Sequence, residues 1–335
     1  MRRVATAALP LLLLALGACG DNEPACGHVK VLVGGRNVWS PIFAVDEQHM
    51  YYADYDVDGY GTKLLLRASR DGGGLQSLGQ VADYEMFGNG IALDDRNVYW
   101  TASRFLDNLG YSLYASPRAG GSPFPIANLP PCVPFGVTSS TTEVFAGTSA
   151  CDAQPSRVTA VDKTTSNARI AWEAGMNDGD VRALAYGGDT LFIATEIALF
   201  AVRPSATEVV TAGNTIRHLE VHDDFLYYAE EHDGVYRTPL AGGTRELLYA
   251  YAPTGERQGA FSLDGDDLYV ADPPHMMFVP LATRTPQAIV HDVGSLSEIS
   301  ARDGYAWWSS LVLPAAPGGL DTFSGGIERV ARPCD

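Results

Sequence analysis

A unit of 35 to 48 residues recurs along this chain, and a chain of that kind folds as an array of like pieces. Tyr51, Tyr99, Phe145, Phe192, Tyr227, Tyr269 and Trp307 occupy equivalent positions, with spacings of 48, 46, 47, 35, 42 and 38 residues. Each lies in an apolar-aromatic segment that follows an apolar strand and a polar turn, as Phe43-Ala44-Val45-Asp46-Glu47-Gln48 leads into Met50-Tyr51-Tyr52-Ala53. Downstream comes an alternating segment ending in Gly-Gly: LLRASRDGG at 65–73, LYASPRAGG at 113–121 and VYRTPLAGG at 235–243. Three or four short strands per unit, punctuated by Gly, Asp and Pro and lacking helical periodicity, form the pattern of propeller blades. One such sheet has two apolar faces and needs a neighbour on each side, which closure into a ring supplies. The expected fold is all-β, a seven-bladed β-propeller forming a single domain over residues 28–335.

The first residues read as an address. Arg2 and Arg3 precede an apolar run from Val4 to Leu16, 13 residues long, too short to span a bilayer and suited to a signal peptide. It ends in Leu16-Gly17-Ala18-Cys19, which resembles the lipobox of bacterial lipoproteins. The resemblance implies a signal peptide over 1–18, lipid on Cys19, and a lipid-bilayer anchor at the cell envelope. Gly20 stands where the lipoprotein family uses Asp to retain members in the inner membrane, so the outer membrane is implied. Lipidated Cys19 and residues 20–27 then form a short tether, residues 20–27 reaching about 25 Å at most when extended. Loss of 1–18 removes two arginines and leaves 21 basic against 40 acidic residues, a charge of −19. So acidic a surface repels phosphate backbones, and nucleic acid is excluded as a partner.

The chain ends bear on closure. The seventh unit runs through Tyr305-Ala306-Trp307-Trp308 to Ile327-Glu328-Arg329-Val330 and stops without an outermost strand. Residues 28–34 make a strand with no unit of its own, and they are expected to fill that gap. Cys26, Cys132, Cys151 and Cys334 remain once Cys19 carries lipid, and four cysteines allow three pairings. Cys26 and Cys334 fall at the same edge of the last blade. Cys132 and Cys151 fall in loops on one face of the third. The expected bridges are therefore 26–334 and 132–151.

The recurring D-x-x-x-[VL]-[YF]-[YWV], followed by [LV]-Y-x-x-P-x-x-G-G as at 94–100 and 113–121, resembles bacterial lipoproteins of the TolB-type or WD40-like propeller group. That resemblance covers about residues 28–334 and implies a fold and a recognition or scaffold role. Trp-Asp dipeptides do not occur, and Gly-His occurs once, at Gly27-His28, and not at the start of each repeat as in true WD40 units.

Chemistry is less legible. Asp54, Asp56 and Asp58 alternate before Gly59, a spacing that lets three carboxylates converge on Ca²⁺, but the residue a full calcium loop would need as Glu is Leu65. The starts of the inner strands contribute Asn89, Phe135, Arg182, Arg217, His218, Gln258 and Glu298 to a channel mouth. Two Arg and one His there would make a positive spot suited to a carboxylate or an acidic peptide. GxSxG, HExxH, P-loop and Rossmann glycine patterns are missing from the sequence. The expected function is an envelope binding or scaffold module for a protein or peptide partner. The alternative is a calcium-dependent propeller enzyme, lactonase- or lyase-like, acting on a sugar-derived or cyclic ester substrate.

Overall fold

The structure, a computed structural model, describes residues 29–55, 63–81, 85–104, 110–152, 154–213, 215–253, 259–291, 295–312 and 324–333. Among these there is no helix, and hence none long and apolar enough to cross a membrane. The chain begins with β1 (Lys30–Val45), β2 (His49–Tyr55), β3 (Lys63–Ser69) and β4 (Gln76–Val81). It continues through β5 (Glu85–Leu93), β6 (Asn97–Arg104), β7 (Tyr111–Pro117), β8 (Phe124–Asn128), β9 (Pro134–Ser139), β10 (Glu143–Thr148), β11 (Arg157–Asp162) and β12 (Ala168–Glu173). Three separate meanders follow. They are β13 (Val181–Gly187) to β16 (Ala206–Ala212) by way of β14 (Thr190–Thr195) and β15 (Ala198–Arg203); β17 (Ile216–His222) to β20 (Glu246–Ala250) by way of β18 (Phe225–Glu230) and β19 (Gly234–Pro239); and β21 (Phe261–Asp264) to β24 (Gln287–His291) by way of β22 (Asp267–Asp272) and β23 (His275–Pro280). The chain ends with β25 (Ser295–Arg302), β26 (Tyr305–Val312) and β27 (Ser324–Ala331).

Strand chemistry explains this order. Second strands such as TLFIAT and DLYVAD are rich in β-branched and aromatic residues and are buried along their whole length. The outermost β16 is exposed along nearly all of its length. Tight hairpins join the first and second strands. Gly188-Asp189 (φ 55° and 58°) and Asp303-Gly304 (49° and 77°) place two consecutive residues at positive φ, the geometry of a type I′ turn that matches strand twist.

The sheets are arranged as a β-propeller. Its inner strands touch in circular order: β1 meets β5 and β25, β5 meets β9, β9 meets β13, β13 meets β17, β17 meets β21, and β21 meets β25. Apolar residues fill the wedges between sheets. All seven repeat aromatics are core, none more than 3 % exposed. Trp100, for example, stacks on Tyr114 with centroids 4.7 Å apart, and its indole N–H donates to Ser116 Oγ at 2.9 Å.

The expectation of seven separate blades is corrected: hydrogen bonding joins the strands into five sheets, of seven, eight, four, four and four strands. Two features merge units that the sequence reading keeps apart. Residues 30–45 form one continuous strand, not a closing segment followed by a new start. Its first half pairs antiparallel with β27 (Lys30↔Arg329, Val31↔Glu328, Val33↔Ile327) and its second half with β2 (Phe43↔Tyr52, Val45↔Met50). Likewise a single parallel rung, Asn89↔Phe135, ties β5 to β9. The core at the meeting of the chain ends holds Val33, Phe43, Met50, Tyr52, Leu66, Trp307 and Ile327. Arg70 caps it, its guanidinium 4.5 Å over Trp307 and 2.6 Å from Asp303 Oδ2.

Candidate functional site

Inner strands deliver side chains to the channel through local irregularity. β13 and β14 slip register between Val181 and Ala183, and β17 and β18 between Ile216 and His218. Arg182 and Arg217 are thus the extra residues of two equivalent bulges, a device that re-aims a side chain at the end of a ladder. Both turn onto a carboxylate just past the second strand of their own sheet. Arg182 pairs with Glu196 and lies 5.1 Å over the Phe135 ring. Arg217 holds Glu231 through Nε at 3.1 Å and Nη2 at 2.8 Å. The positive spot expected of these arginines is therefore neutralised by two carboxylates 14 residues downstream of them.

His218 Nδ1 stands 3.8 Å from Glu298 Oε2. Their strands, β17 and β25, are not neighbours in the ring, so the two side chains meet across the channel. The edge of Phe261 closes on His218 at 4.8 Å between centroids. Enclosure by protein disfavours charge on both: the His218 imidazole falls to about 4 and the Glu298 carboxyl rises to about 8. Glu220, two residues along β17, is likewise pushed up to about 8 by enclosure, although Leu263 N–H (3.3 Å) and the Ser262 hydroxyl favour its anion. It lines an opening of about 280 Å³ between β5, β9, β13 and β17. Enclosure thus disfavours the charged forms of one imidazole and two carboxyl groups in the channel, although His218 and Glu298 keep about a quarter of their side chains exposed (24 % and 27 %). Glu220 was not among the sequence candidates. Its only signal was an acid in an inner strand whose sheet neighbours are apolar.

The opposite end of the inner strands explains the Asp-x-x-x-x-Tyr signature. Asp94 Oδ1 accepts the N–H groups of Arg96 (2.8 Å) and Asn97 (2.7 Å), and Oδ2 accepts the Tyr99 hydroxyl (2.7 Å) and Lys163 Nζ (2.7 Å). Lys163 comes from the β11–β12 turn. Asp46 repeats this with Gln48 N–H, His49 N–H, the Tyr51 hydroxyl and Arg118 of the β7–β8 turn. Each Asp thus closes its own turn and pins a cation from the next repeat. Burial raises the Asp94 carboxyl, but Lys163, the two N–H groups and Tyr99 outweigh it and hold the group at about 2. Beside this latch lies a polar groove of about 890 Å³, lined by Asp95, Asn97, Ser139, Thr141, Tyr186 and Asp189 among others.

The other sequence candidates divide. Asn89 and Phe135 share the parallel rung between β5 and β9, and Arg182 covers Phe135. Cys132 and Cys151 form a disulfide with Cα atoms 5.4 Å apart. Asp54 is buried at the end of β2. Gln258, Asp56, Asp58, Cys19, Cys26 and Cys334 lie outside the described residues. Among the described residues no three His, Cys, Asp or Glu side chains are grouped to hold a metal ion.

No family model and no curated protein sequence matches the chain. Solved structures do. A puromycin-hydrolyzing peptidase of Mycobacterium tuberculosis superposes with a TM-score of 0.62 at 14 % identity, over 88 % of this chain and 51 % of that one. The extracellular domain of BT4673 from B. thetaiotaomicron, described as a one component system, gives 0.57 at 13 % identity, over 89 % and 39 %. PorZ, a bacterial surface component of the type-IX secretion system of Porphyromonas gingivalis, gives 0.55 at 12 % identity, over 91 % and 39 %. This chain spans about half the length of the first and about two fifths of the other two. At such identities the likeness is one of fold, and the fold is the β-propeller.

Proposed function

We propose that the chain is a lipid-anchored envelope module whose channel binds a cationic group of a protein or peptide partner. The observation that carries this reading is the charge arrangement at the channel. Arg182 and Arg217 are spent on Glu196 and Glu231, His218 is uncharged, and the carboxyl groups of Glu220 and Glu298 remain. An entering ammonium or guanidinium group displaces the carboxyl protons and gains charge-assisted hydrogen bonds in a partly enclosed site. A net charge of −19 on the mature chain draws cationic partners from a distance. The partner is thus basic at its point of entry, where the sequence alone suggests an acidic one. The Leu16-Gly17-Ala18-Cys19 motif supports the anchor, and the propeller fold of extracellular and surface neighbours supports the envelope setting.

Titration calorimetry of the full chain in detergent, in about 0.15 M salt to screen surface charge, tests this reading with oligo-lysine and oligo-glutamate peptides of equal length. Oligo-lysine binding that is lost in the Glu220→Gln/Glu298→Gln variant is expected. Binding of oligo-glutamate instead, or oligo-lysine binding unchanged in the variant, overturns it.

A further inference from the structure

The sheet built from β21 to β24 carries two histidines that neither the channel nor the latches use. His275 opens β23 and His291 closes β24, and the two are direct cross-strand partners. Asp272 is in turn the partner of His275 on β22. The three residues form one row across three strands and project from the same side of the sheet, as paired residues of antiparallel strands do. The imidazoles stand nearly perpendicular, at 84°, with centroids 4.9 Å apart and Nδ1 3.2 Å from Nδ1. Asp272 is 5 % exposed. Its Oδ2 accepts the Tyr249 hydroxyl at 2.5 Å and the Ala252 N–H at 3.2 Å, and its Oδ1 has no hydrogen-bond partner among the described residues.

That nitrogen separation is a chelating one. Two imidazole nitrogens at about 2.0–2.1 Å from a tetrahedral Zn²⁺ lie about 3.3–3.4 Å apart. A neutral pair can also share one proton, Nδ1–H to Nδ1, at the same distance, so a metal ion that replaces that proton finds the nitrogens already at chelating separation and needs the rings only to turn until both lone pairs converge on it. We propose that His275 and His291 form a two-imidazole clamp for a zinc-class divalent cation, on the side of the sheet that buries Asp272. Asp272 stands in the same row on the neighbouring strand. Imidazole ligands select Zn²⁺, Cu²⁺ or Ni²⁺ and leave Ca²⁺ and Mg²⁺, which take oxygen donors, unbound. The clamp is therefore independent of the acidic 54–58 segment and of the channel carboxyls.

The test uses the untagged full chain in detergent, stripped with chelator, dialysed, and titrated with ZnCl₂ by calorimetry. One equivalent is expected, with a dissociation constant on the order of 10 µM, because two of the four ligands of a structural zinc site are present. Either His275→Ala or His291→Ala weakens binding at least tenfold, whereas His222→Ala, on another sheet, leaves it unchanged. Both clamp variants replace side chains at strand ends on the surface, and an unchanged metal-free melting temperature shows that each is folded. Absence of a bound equivalent, an equivalent retained in the His275→Ala/His291→Ala double variant, or displacement of Zn²⁺ by millimolar Ca²⁺ overturns the assignment.

Discussion

Replacing Asp94 by Asn keeps the side chain's shape and removes the charge that holds four donors. Folding holds the Asp94 carboxyl at about 2, against an ordinary value of 3.8. At 1.36 kcal/mol per unit, the difference makes the charged form worth about 2.5 kcal/mol to the folded state. Its side chain is only 18 % exposed and that of Lys163 13 %, so little of this is lost to solvent screening. Urea denaturation of the full chain in detergent at pH 7 should show Asp94→Asn less stable by about 2 kcal/mol. Asp95→Asn, at a side chain 85 % exposed, should change stability by less than about 0.5 kcal/mol. The sign with pH follows from the depressed carboxyl. Its contribution is complete above the unfolded-state value near 4 and vanishes as pH falls through about 2. The gap between wild type and Asp94→Asn should accordingly narrow below pH 4. A double-mutant cycle with Lys163→Met should return a coupling of about 1 kcal/mol or more. Equal stabilities of Asp94→Asn and Asp95→Asn, or a gap that widens toward acid, would refute the latch.

Three further outcomes follow from the geometry. Glu298 keeps its proton to about pH 8 when folded and loses it near 4.5 when unfolded, so stability drains away between those values as pH rises. Glu298→Gln should be more stable than wild type at pH 8.5, by about 1–2 kcal/mol after allowance for water in the channel, with the gain shrinking toward pH 5. Cys132→Ser/Cys151→Ser opens a bridge of sequence separation 19 and should cost about 3 kcal/mol in denaturant melts run without reductant. Gly90→Ala adds a Cβ about 2.8 Å from Val137 N at a backbone φ of +99°, and should cost about 2 kcal/mol or more by parting the seam between β5 and β9, read by thermal melts.

Much of the architecture was legible because it is periodic. Equivalent aromatics from Tyr51 to Trp307 mark the buried second strand of each repeat, and a local signal repeated along the chain outweighs the noise of any one segment. The pairing of the first and last strands was legible for a related reason, since an incomplete last repeat and an orphan first strand imply each other. Continuity of β1 from Lys30 to Val45 was not, because residues 28–34 read as a closing strand separate from the first repeat that begins with Phe43-Ala44-Val45. The Cys132–Cys151 bridge followed from loop placement once the repeat was aligned. Charge at the channel was misread for a definite reason. Arg182 and Arg217 were visible, but the register shifts that leave them unpaired beside Glu196 and Glu231 have no composition of their own. His275 and His291 are 16 residues apart and meet only because β23 and β24 pair in one register.

The pH dependence of oligo-lysine affinity probes the channel reading most directly. With Glu220 and Glu298 protonated until about pH 8, binding a cation expels protons, and the dissociation constant should fall by up to about tenfold per pH unit for each proton released between pH 6 and 8, then level off. Calorimetry in buffers of different ionisation enthalpy should register that release. An affinity that is flat with pH, or one that strengthens toward acid, would contradict a carboxyl-lined channel that exchanges protons for a cationic partner.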